Sequence, residues 1–109
     1  MKLSLKEQKI IKQLSSELKE RFGARQIILY GSAVRQTMNE GSDIDILVVL
    51  PEVNWEIEKE ITDLCFDFEF KFEMDRMISV MCVTENELKN SPLRASPFVL
   101  NVMREGKWI

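Results

Sequence analysis

The amino-acid sequence predicts an α/β (α+β) fold with one mixed sheet flanked by helices. Segments with helical spacing of apolar residues alternate with short apolar segments of strand length. Residues 43–50 (DIDILVVL) form a nearly continuous apolar run beyond their aspartates, which is typical of a central strand covered on both faces. No repeat, linker or low-complexity tract divides the chain, so we expect residues 1–109 to form a single domain.

The first half of the chain predicts a helix, a strand, a short helix and a second strand. Residues 3–22 carry apolar side chains at three- and four-residue steps, and Gly23 is placed for a left-handed helix cap. Residues 27–30 follow as a short apolar strand. Gly31 ends this strand, and Ser32 is expected to cap a short helix through residue 36. A polar loop over residues 37–41 then leads to the strand at 43–50, which Pro51 ends.

The segment from residue 53 to 74 permits two interpretations. Apolar residues from Ile57 onward make one unbroken helical face, yet residues 66–74 (FDFEFKFEM) also alternate with the period of a strand. We favour the helix, which leaves Phe66 and Phe70 outside the main apolar stripe and able to face a partner. If the segment were a strand, Asp67 or Glu69 could point toward bound metals.

The last third predicts a strand, two helices and a loop. Residues 76–83 read as a strand, and Thr84 with Glu87 matches a capping box for a short helix. A loop with two prolines follows at 91–97, and a final helix at 98–104 ends at Gly106.

Composition excludes several classes of function. Hydrophobic residues are 45% and charged residues 30%, as in ordinary globular proteins, and the net charge of -3 argues against strong direct nucleic-acid binding. No apolar run approaches the ~20 residues that cross a bilayer. The start of the chain lacks a signal-peptide core, so we expect a cytoplasmic protein without membrane attachment. The absence of histidine excludes Ser-His and Cys-His catalysis, and we interpret Cys65 and Cys82 as buried reduced thiols.

The turn after the first strand has features of a phosphate site. Gly31 lets the backbone approach an anion closely, and Ser32 adds a hydroxyl donor at the start of a helix. We place the β- and γ-phosphates of a nucleotide here. Arg35, one turn further, is able to reach the phosphates or to pair with a carboxylate. Taken alone, this pattern would also fit a plain strand-to-helix turn.

Asp43 and Asp45 are candidate catalytic residues and metal ligands. Two residues apart on a strand, their side chains leave the same face about 6.5–7 Å apart, a spacing that suits shared divalent ions. Magnesium is the expected ion, because it is hard and shares its shell with phosphates. Two Mg²⁺ ions would activate a hydroxyl and neutralise the leaving pyrophosphate. Alternatively, Asp43 caps the strand and Asp45 pairs with Arg35, although a carboxylate in an apolar strand is costly without a metal or partner.

The joined pattern of Gly31, Ser32 and Arg35 followed by the segment 42–45 (SDID) resembles the DNA polymerase beta-like nucleotidyltransferase superfamily. More narrowly it is similar to the minimal nucleotidyltransferases, many of them antitoxins paired with HEPN-domain toxins. The resemblance implies a palm-like sheet, with Gly31, Ser32, Arg35 and Ser42 binding the nucleotide and Asp43 and Asp45 holding the metals. It also implies transfer of AMP from ATP, or of a nucleoside monophosphate from another NTP, to a tyrosine of a HEPN toxin, which silences its RNase activity.

Two residues depart from the family pattern. Gln36 stands where a glycine is frequent. Active members carry a third carboxylate on a neighbouring strand, which here is 77–83 and contains no acid; Ser79 holds the corresponding mid-strand position, and Asp75 is a weak substitute. In family members this third acid can serve as the general base, so its absence predicts weak or absent catalysis.

Three hypotheses therefore remain. The chain is a nucleotidyltransferase acting on a partner protein, or a binding subunit that neutralises its partner by contact alone. A third, weaker hypothesis is a catalytic subunit for a small molecule such as an aminoglycoside. Contact with a partner, or self-association, would use exposed aromatic residues. The candidates for these anchors are Trp55, Phe66, Phe70 and Trp108.

Overall fold

A computed structural model of the chain describes residues 3–35 and 41–109. Helices and strands alternate along the chain, as the sequence predicts. In order, the elements are α1 (Leu5–Phe22), β1 (Gln26–Tyr30), α2 (Ser32–Arg35), β2 (Ile44–Leu50), α3 (Trp55–Lys71), β3 (Ile78–Thr84), α4 (Glu85–Asn90), a 3-10 helix (Pro92–Ala95), α5 (Pro97–Glu105) and β4 (Lys107–Trp108).

The four strands form one mixed sheet in the order β3-β2-β1-β4. β2 runs antiparallel to β1 and parallel to β3, and β4 pairs with β1 in antiparallel sense. The parallel pair is joined by α3, since two parallel neighbours need a crossover connection. β2 lies inside the sheet and all of its residues except Asp45 are buried. This confirms both the mixed sheet and the central strand that the apolar run predicts.

The two faces of the sheet are covered by different helices. Alternate residues of β2, beginning with Ile44, pack with α1 and α3 in the larger apolar core. Leu47 and Val49 point to the opposite face and pack with Val102 of α5 in a smaller core. Because side chains alternate along a strand, Asp45 belongs to this second face.

The first helix begins and ends with the predicted type of signals. Ser4 and Glu7 form a reciprocal capping box at its start, and Gly23 closes it with φ 69° in the left-handed region. Glu7 also accepts two hydrogen bonds of 2.8 Å from Arg76, which ties the start of α1 to the segment before β3.

The segment that permits two interpretations is helical. Asn54 accepts a hydrogen bond from the Ile57 N–H and caps α3, whose buried residues are Ile61, Leu64, Cys65 and Phe68. Phe66 and Phe70 lie outside this stripe, with 52% and 88% of their surface exposed. The helix interpretation is therefore confirmed, because tertiary burial follows the helical stripe and not the shorter alternation.

Several boundaries and one element differ from expectation. β3 begins at Ile78, two residues later than expected, and the predicted loop at 91–97 contains a 3-10 turn. β4 was not expected; its two residues are too few to carry a sequence signal. Residues 36–40, which include Gln36 and most of the expected polar loop, lie outside the described part of the chain. Among the described residues, no helix is long and apolar enough to cross a membrane.

Candidate functional site

The antiparallel pairing of β1 and β2 brings the glycine–serine turn against the second aspartate. The last residue of β1, Tyr30, lies directly across from Asp45. Gly31 follows with φ 75°, a left-handed conformation that favours glycine. A Cβ atom added at Gly31 would lie 2.5 Å from Oδ2 of Asp45. The backbone and the carboxylate are therefore in close approach, which residues 14 positions apart reach only through this hairpin pairing.

The turn itself is a single helical turn. The Gly31 carbonyl accepts hydrogen bonds from the N–H groups of Val34 and Arg35, at 3.2 and 3.1 Å. Ser32 is thus the first helical residue and not the cap that the sequence predicts, because Gly31 occupies the cap position. Within residues 3–35 and 41–109, no acceptor bonds the N–H groups of Ser32 and Ala33. Such unpaired donors at the start of a helix are suited to an anion.

The two aspartates repel each other. Burial raises the pKa of Asp45, and the negative charge of Asp43 raises it further. Asp43 is exposed and lies just before β2, with half-buried Ser42 preceding it. A bound cation would relieve this repulsion, and carboxylate oxygens are the ligands that Mg²⁺ prefers. No group of three or more Asp, Glu, Cys or His side chains positioned for a metal occurs among the described residues.

The position across from Asp45 on the other side is Ser79. The two residues are partners in the parallel pairing of β2 with β3. Ser79 thus lies beside the carboxylate pair, at the position where the family resemblance predicts a third acid. Asp75 lines a different cavity, with Ser4 and Glu7 at the start of α1. It is no substitute for an acid at position 79.

Arg35 is held by a residue far along the chain. Its Nε lies 3.0 Å from Oε2 of Glu105 at the end of α5. The alternative in which Asp45 pairs with Arg35 is therefore wrong. The close packing that permits this ion pair depends on Gly106, since a Cβ there would collide with the side chain of Ile28 and the carbonyl of Val102.

Three further residues border the site, and the favoured helix interpretation of the sequence assigned none of them to it. Burial and the charge of Asp45 raise the pKa of Tyr30, whose ring contacts Phe98 edge-on at 5.4 Å between centroids. Burial raises the pKa of Glu69 on α3; a hydrogen bond from the Ile78 N–H opposes this, and the charge of Asp43 adds to it. Its Oε2 is buried without a partner among the described residues. Only the folded arrangement of α3 and α5 reveals these neighbours.

Comparisons with known proteins place this geometry in context. The family model described as nucleotidyltransferase domain matches residues 11–99. A candidate protein adenylyltransferase of Methanocaldococcus jannaschii is 35% identical over 105 residues, covering 94% of this chain and 97% of that protein. The protein adenylyltransferase MntA of Thermococcus cleftensis is 46% identical over 52 residues, covering 47% of this chain and 52% of that protein.

One solved structure is similar in fold. The crystal structure of a toxin-antitoxin with AMP-PNP superposes with a TM-score of 0.55 at 24% sequence identity. The likeness covers 92% of this chain and 69% of that one. It agrees with the mixed sheet flanked by helices described above.

Proposed function

This chain belongs to the nucleotidyltransferase domain family, and we propose that it transfers AMP from ATP to a hydroxyl group of a partner protein. The observation that carries the proposal is the pairing of Tyr30 with Asp45, which sets the Gly31 backbone against a carboxylate. In this arrangement, one triphosphate would contact the backbone of the turn and a metal ion held by the carboxylate.

The proposed reaction is an in-line displacement at the α-phosphorus. The acceptor oxygen forms the new bond to phosphorus, and the bond from that phosphorus to the oxygen bridging the α- and β-phosphates breaks. Pyrophosphate leaves, and the hydroxyl proton passes to water, because Ser79 offers no base. The N–H groups of Ser32 and Ala33 and the Ser32 hydroxyl would hold the leaving phosphates. Arg35, at the far end of the same turn, would neutralise part of their charge.

Asp43 and Asp45 would hold Mg²⁺, one ion or two, and Ser42 would support the nucleotide beside them. When bound, the metal supplies charge neutralisation at the phosphates and lowers the pKa of the acceptor hydroxyl. Two adjacent carboxylates that repel each other fit such a cation, since Mg²⁺ is commonly held by one or two carboxylates plus substrate phosphates.

The partner we propose is a HEPN-type toxin, with this chain as its antitoxin. Support comes from the resemblance of residues 31–45 to the minimal nucleotidyltransferases and from relatives that bear the name protein adenylyltransferase. Transfer of AMP to a tyrosine of the toxin would place a charged, bulky group on it and so silence it.

A second candidate function follows from Ser79. Because no acid lies across from Asp45 on β3, a chain that neutralises its partner by contact alone would keep this geometry without turnover. Transfer of AMP requires Asp43 and Asp45, whereas neutralisation by contact alone does not.

Calorimetry with ATP tests the first function directly. We expect the parent protein to bind ATP only with Mg²⁺ present, and the variant Asp43→Asn/Asp45→Asn to lose that binding. Label from ATP carrying ³²P at the α-phosphate should pass to a co-expressed HEPN protein and should fall by about 100-fold or more in the variant.

The matched control is Asp63→Asn/Asp67→Asn, which removes the same charge from the exposed side of α3. It should bind Mg-ATP like the parent. Loss of binding in both variants would point to general charge and not to the site. Neutralisation of the partner that survives Asp43→Asn/Asp45→Asn would favour the contact-only function.

A further inference from the structure

One edge of the sheet is open beside the proposed site. β3 pairs with β2 along one side, and among residues 3–35 and 41–109 no strand pairs with its other side. Its sequence, ISVMCVT, contains neither a charged residue nor a proline. Charged residues and prolines are the usual means of blocking an exposed edge. This edge therefore remains able to accept another strand.

The open part of the edge is short and well defined. The Met77 carbonyl accepts from the Ile44 N–H toward β2, so the backbone groups of Ile78 and of every second residue after it point outward. Carboxylates cover the two ends: Glu69 accepts from the Ile78 N–H, and Glu87 accepts from the Thr84 N–H at 3.1 Å. The outward groups of Val80 and Cys82 remain between them, which suits an added strand of about four residues.

A groove runs along this edge beneath α3. Two cavities form it, one of about 190 Å³ that reaches from Asp43 to Val80, and one of about 360 Å³ that reaches on to Cys82. Thr62 lies between them and lines both. Every second side chain of an added strand would point to the α3 side and enter these cavities one after the other.

The groove is acidic and partly apolar. Asp43 and Glu58 are the charged residues that line the two cavities, and both are negative. Burial, together with the charge of Glu58, raises the pKa of Cys82 to about 11. Phe66 and Met77 line the end near Asp43 and are about half exposed, at 52% and 55%. Charge complementarity thus favours a basic segment with apolar side chains between its charges.

The position of the groove matches the direction of the proposed reaction. Gly31 follows β1 on one side of β2, and the groove lies along β3 on the other side. In an in-line displacement the attacking oxygen approaches opposite the leaving group. With pyrophosphate held at Gly31 and Ser32, an acceptor hydroxyl that approaches from the side of β3 would lie opposite the leaving group along the sheet.

We propose that an extended, basic segment of the acceptor protein adds to the β3 edge beneath α3 and delivers its hydroxyl beside Asp43. The delivery step rests on the proposed function; the pairing of the segment with β3 does not. The displacement is the one written above, with AMP joined to the segment's hydroxyl and pyrophosphate released.

Binding of a designed peptide tests the pairing without nucleotide. The probe is a nine-residue peptide with a central tyrosine, blocked ends and a fluorescent label, followed by anisotropy. Lysine and valine occupy the positions that share the tyrosine's face of the strand, and threonine occupies the positions between them. An otherwise identical peptide with glutamate for lysine should bind at least about tenfold more weakly, because the groove is acidic. N-methylation at every second residue should abolish binding in one register and spare it in the other, since only one set of N–H groups faces β3.

Two pairs of variants locate the peptide. Glu58→Lys should weaken binding by about fivefold or more, whereas Glu56→Lys, in the same first turn of α3 but outside both cavities, should not. Phe66→Ala should weaken it, whereas Phe70→Ala, equally aromatic but outside the groove, should not. Equal effects within each pair would overturn the proposal, as would equal binding of the two N-methylated peptides. A chain that dimerises through β3 and excludes the peptide would also overturn it.

The same peptide separates this inference from the proposed function. If it binds as described but receives no label from ATP, the docking stands and the transfer fails. If label is transferred and the paired variants leave its KM unchanged, transfer stands and the docking fails.

Discussion

The face of the sheet that packs against α1 and α3 buries a cluster of 18 apolar residues among those described, whereas the opposite face buries a cluster of five. The larger cluster extends along the whole of β2. The smaller one lies under α5 and leaves Ser79 exposed and Asp45 half-buried at the end of the sheet. The face against α1 and α3 therefore supplies most of the stability, and the opposite face leaves polar side chains accessible at the proposed site.

The largest loss of stability is expected for truncation of a core residue in the larger cluster. Leu14 is fully buried in that cluster, so Leu14→Ala should lower the free energy of unfolding by about 3 kcal/mol, within the 2–5 kcal/mol range of such truncations. Urea unfolding followed by circular dichroism measures the change. Met103→Ala, on the less covered face and half-buried, is the matched truncation and should cost clearly less.

A substitution at Gly31 tests whether the turn beside Asp45 tolerates a side chain. Gly31→Ala places a side chain in the left-handed region and against Asp45, so it should destabilise the fold by about 1–2 kcal/mol. It should also abolish Mg-ATP binding, which Leu14→Ala should preserve below its unfolding transition. Stability and binding are read from urea unfolding and calorimetry on the same samples.

The two regions should respond differently to pH, because each contains a carboxylate whose pKa is shifted and the two shifts have opposite signs. Burial alone would raise the pKa of Glu7, but hydrogen bonds from Ser4 and Arg76 and the Arg76 charge lower it from 4.5. Its stabilisation is therefore present above that value and is lost as the pH falls through the lowered pKa. The pKa of Asp45 is raised from 3.8, so its ionised form costs stability at neutral pH, and this cost disappears as the pH falls through the raised pKa.

Urea midpoints at neutral and acid pH measure both effects. Asp45→Asn should be more stable than the parent at pH 7, with the difference vanishing below 3.8. Glu7→Gln keeps a residue able to complete the capping box and should be less stable at pH 7, with the difference again vanishing in acid. If both variants changed the stability at pH 7 in the same direction, this would contradict the conclusion that ionised Asp45 destabilises the fold and ionised Glu7 stabilises it.

The smallest effect is expected at the exposed aromatics. Phe70 is 88% exposed, so Phe70→Ala should change the free energy of unfolding by no more than about 0.5 kcal/mol. A loss above 1 kcal/mol would show that α3 is covered in solution by something that Phe70 contacts. Thermal unfolding at two protein concentrations distinguishes self-association from folding stability.

Much of the fold was predictable from local patterns. The stripe of α1, its Gly23 cap and the box at Thr84 and Glu87 each act within a few residues, and all are confirmed. The apolar run at 43–50 predicted the central strand, because a strand buried on both faces is nearly continuous in apolar residues. The turn at Gly31 and the two aspartates stay a prediction of the sequence, which rests on the particular residue types and close spacing that phosphate and metal binding require.

The rest of the site depends on contacts between distant residues. Glu105 pairs with Arg35 across 70 positions, and the charge of Asp43 acts on Glu69 from a segment distant in sequence. No local period carries such information. The two residues of β4 form a strand only because β1 offers them an edge, which propensity alone does not reveal.

The unequal edges of the sheet have a consequence for stoichiometry. β4 covers part of β1 with two residues and presents Lys107 to solvent, while β3 stays open over Val80 and Cys82. A chain with one receptive edge takes up a single strand and then has no second surface of that kind to offer. Among residues 3–35 and 41–109, association through β3 would therefore favour a closed unit, one partner for each chain or a pair of chains, over an open-ended stack of strands.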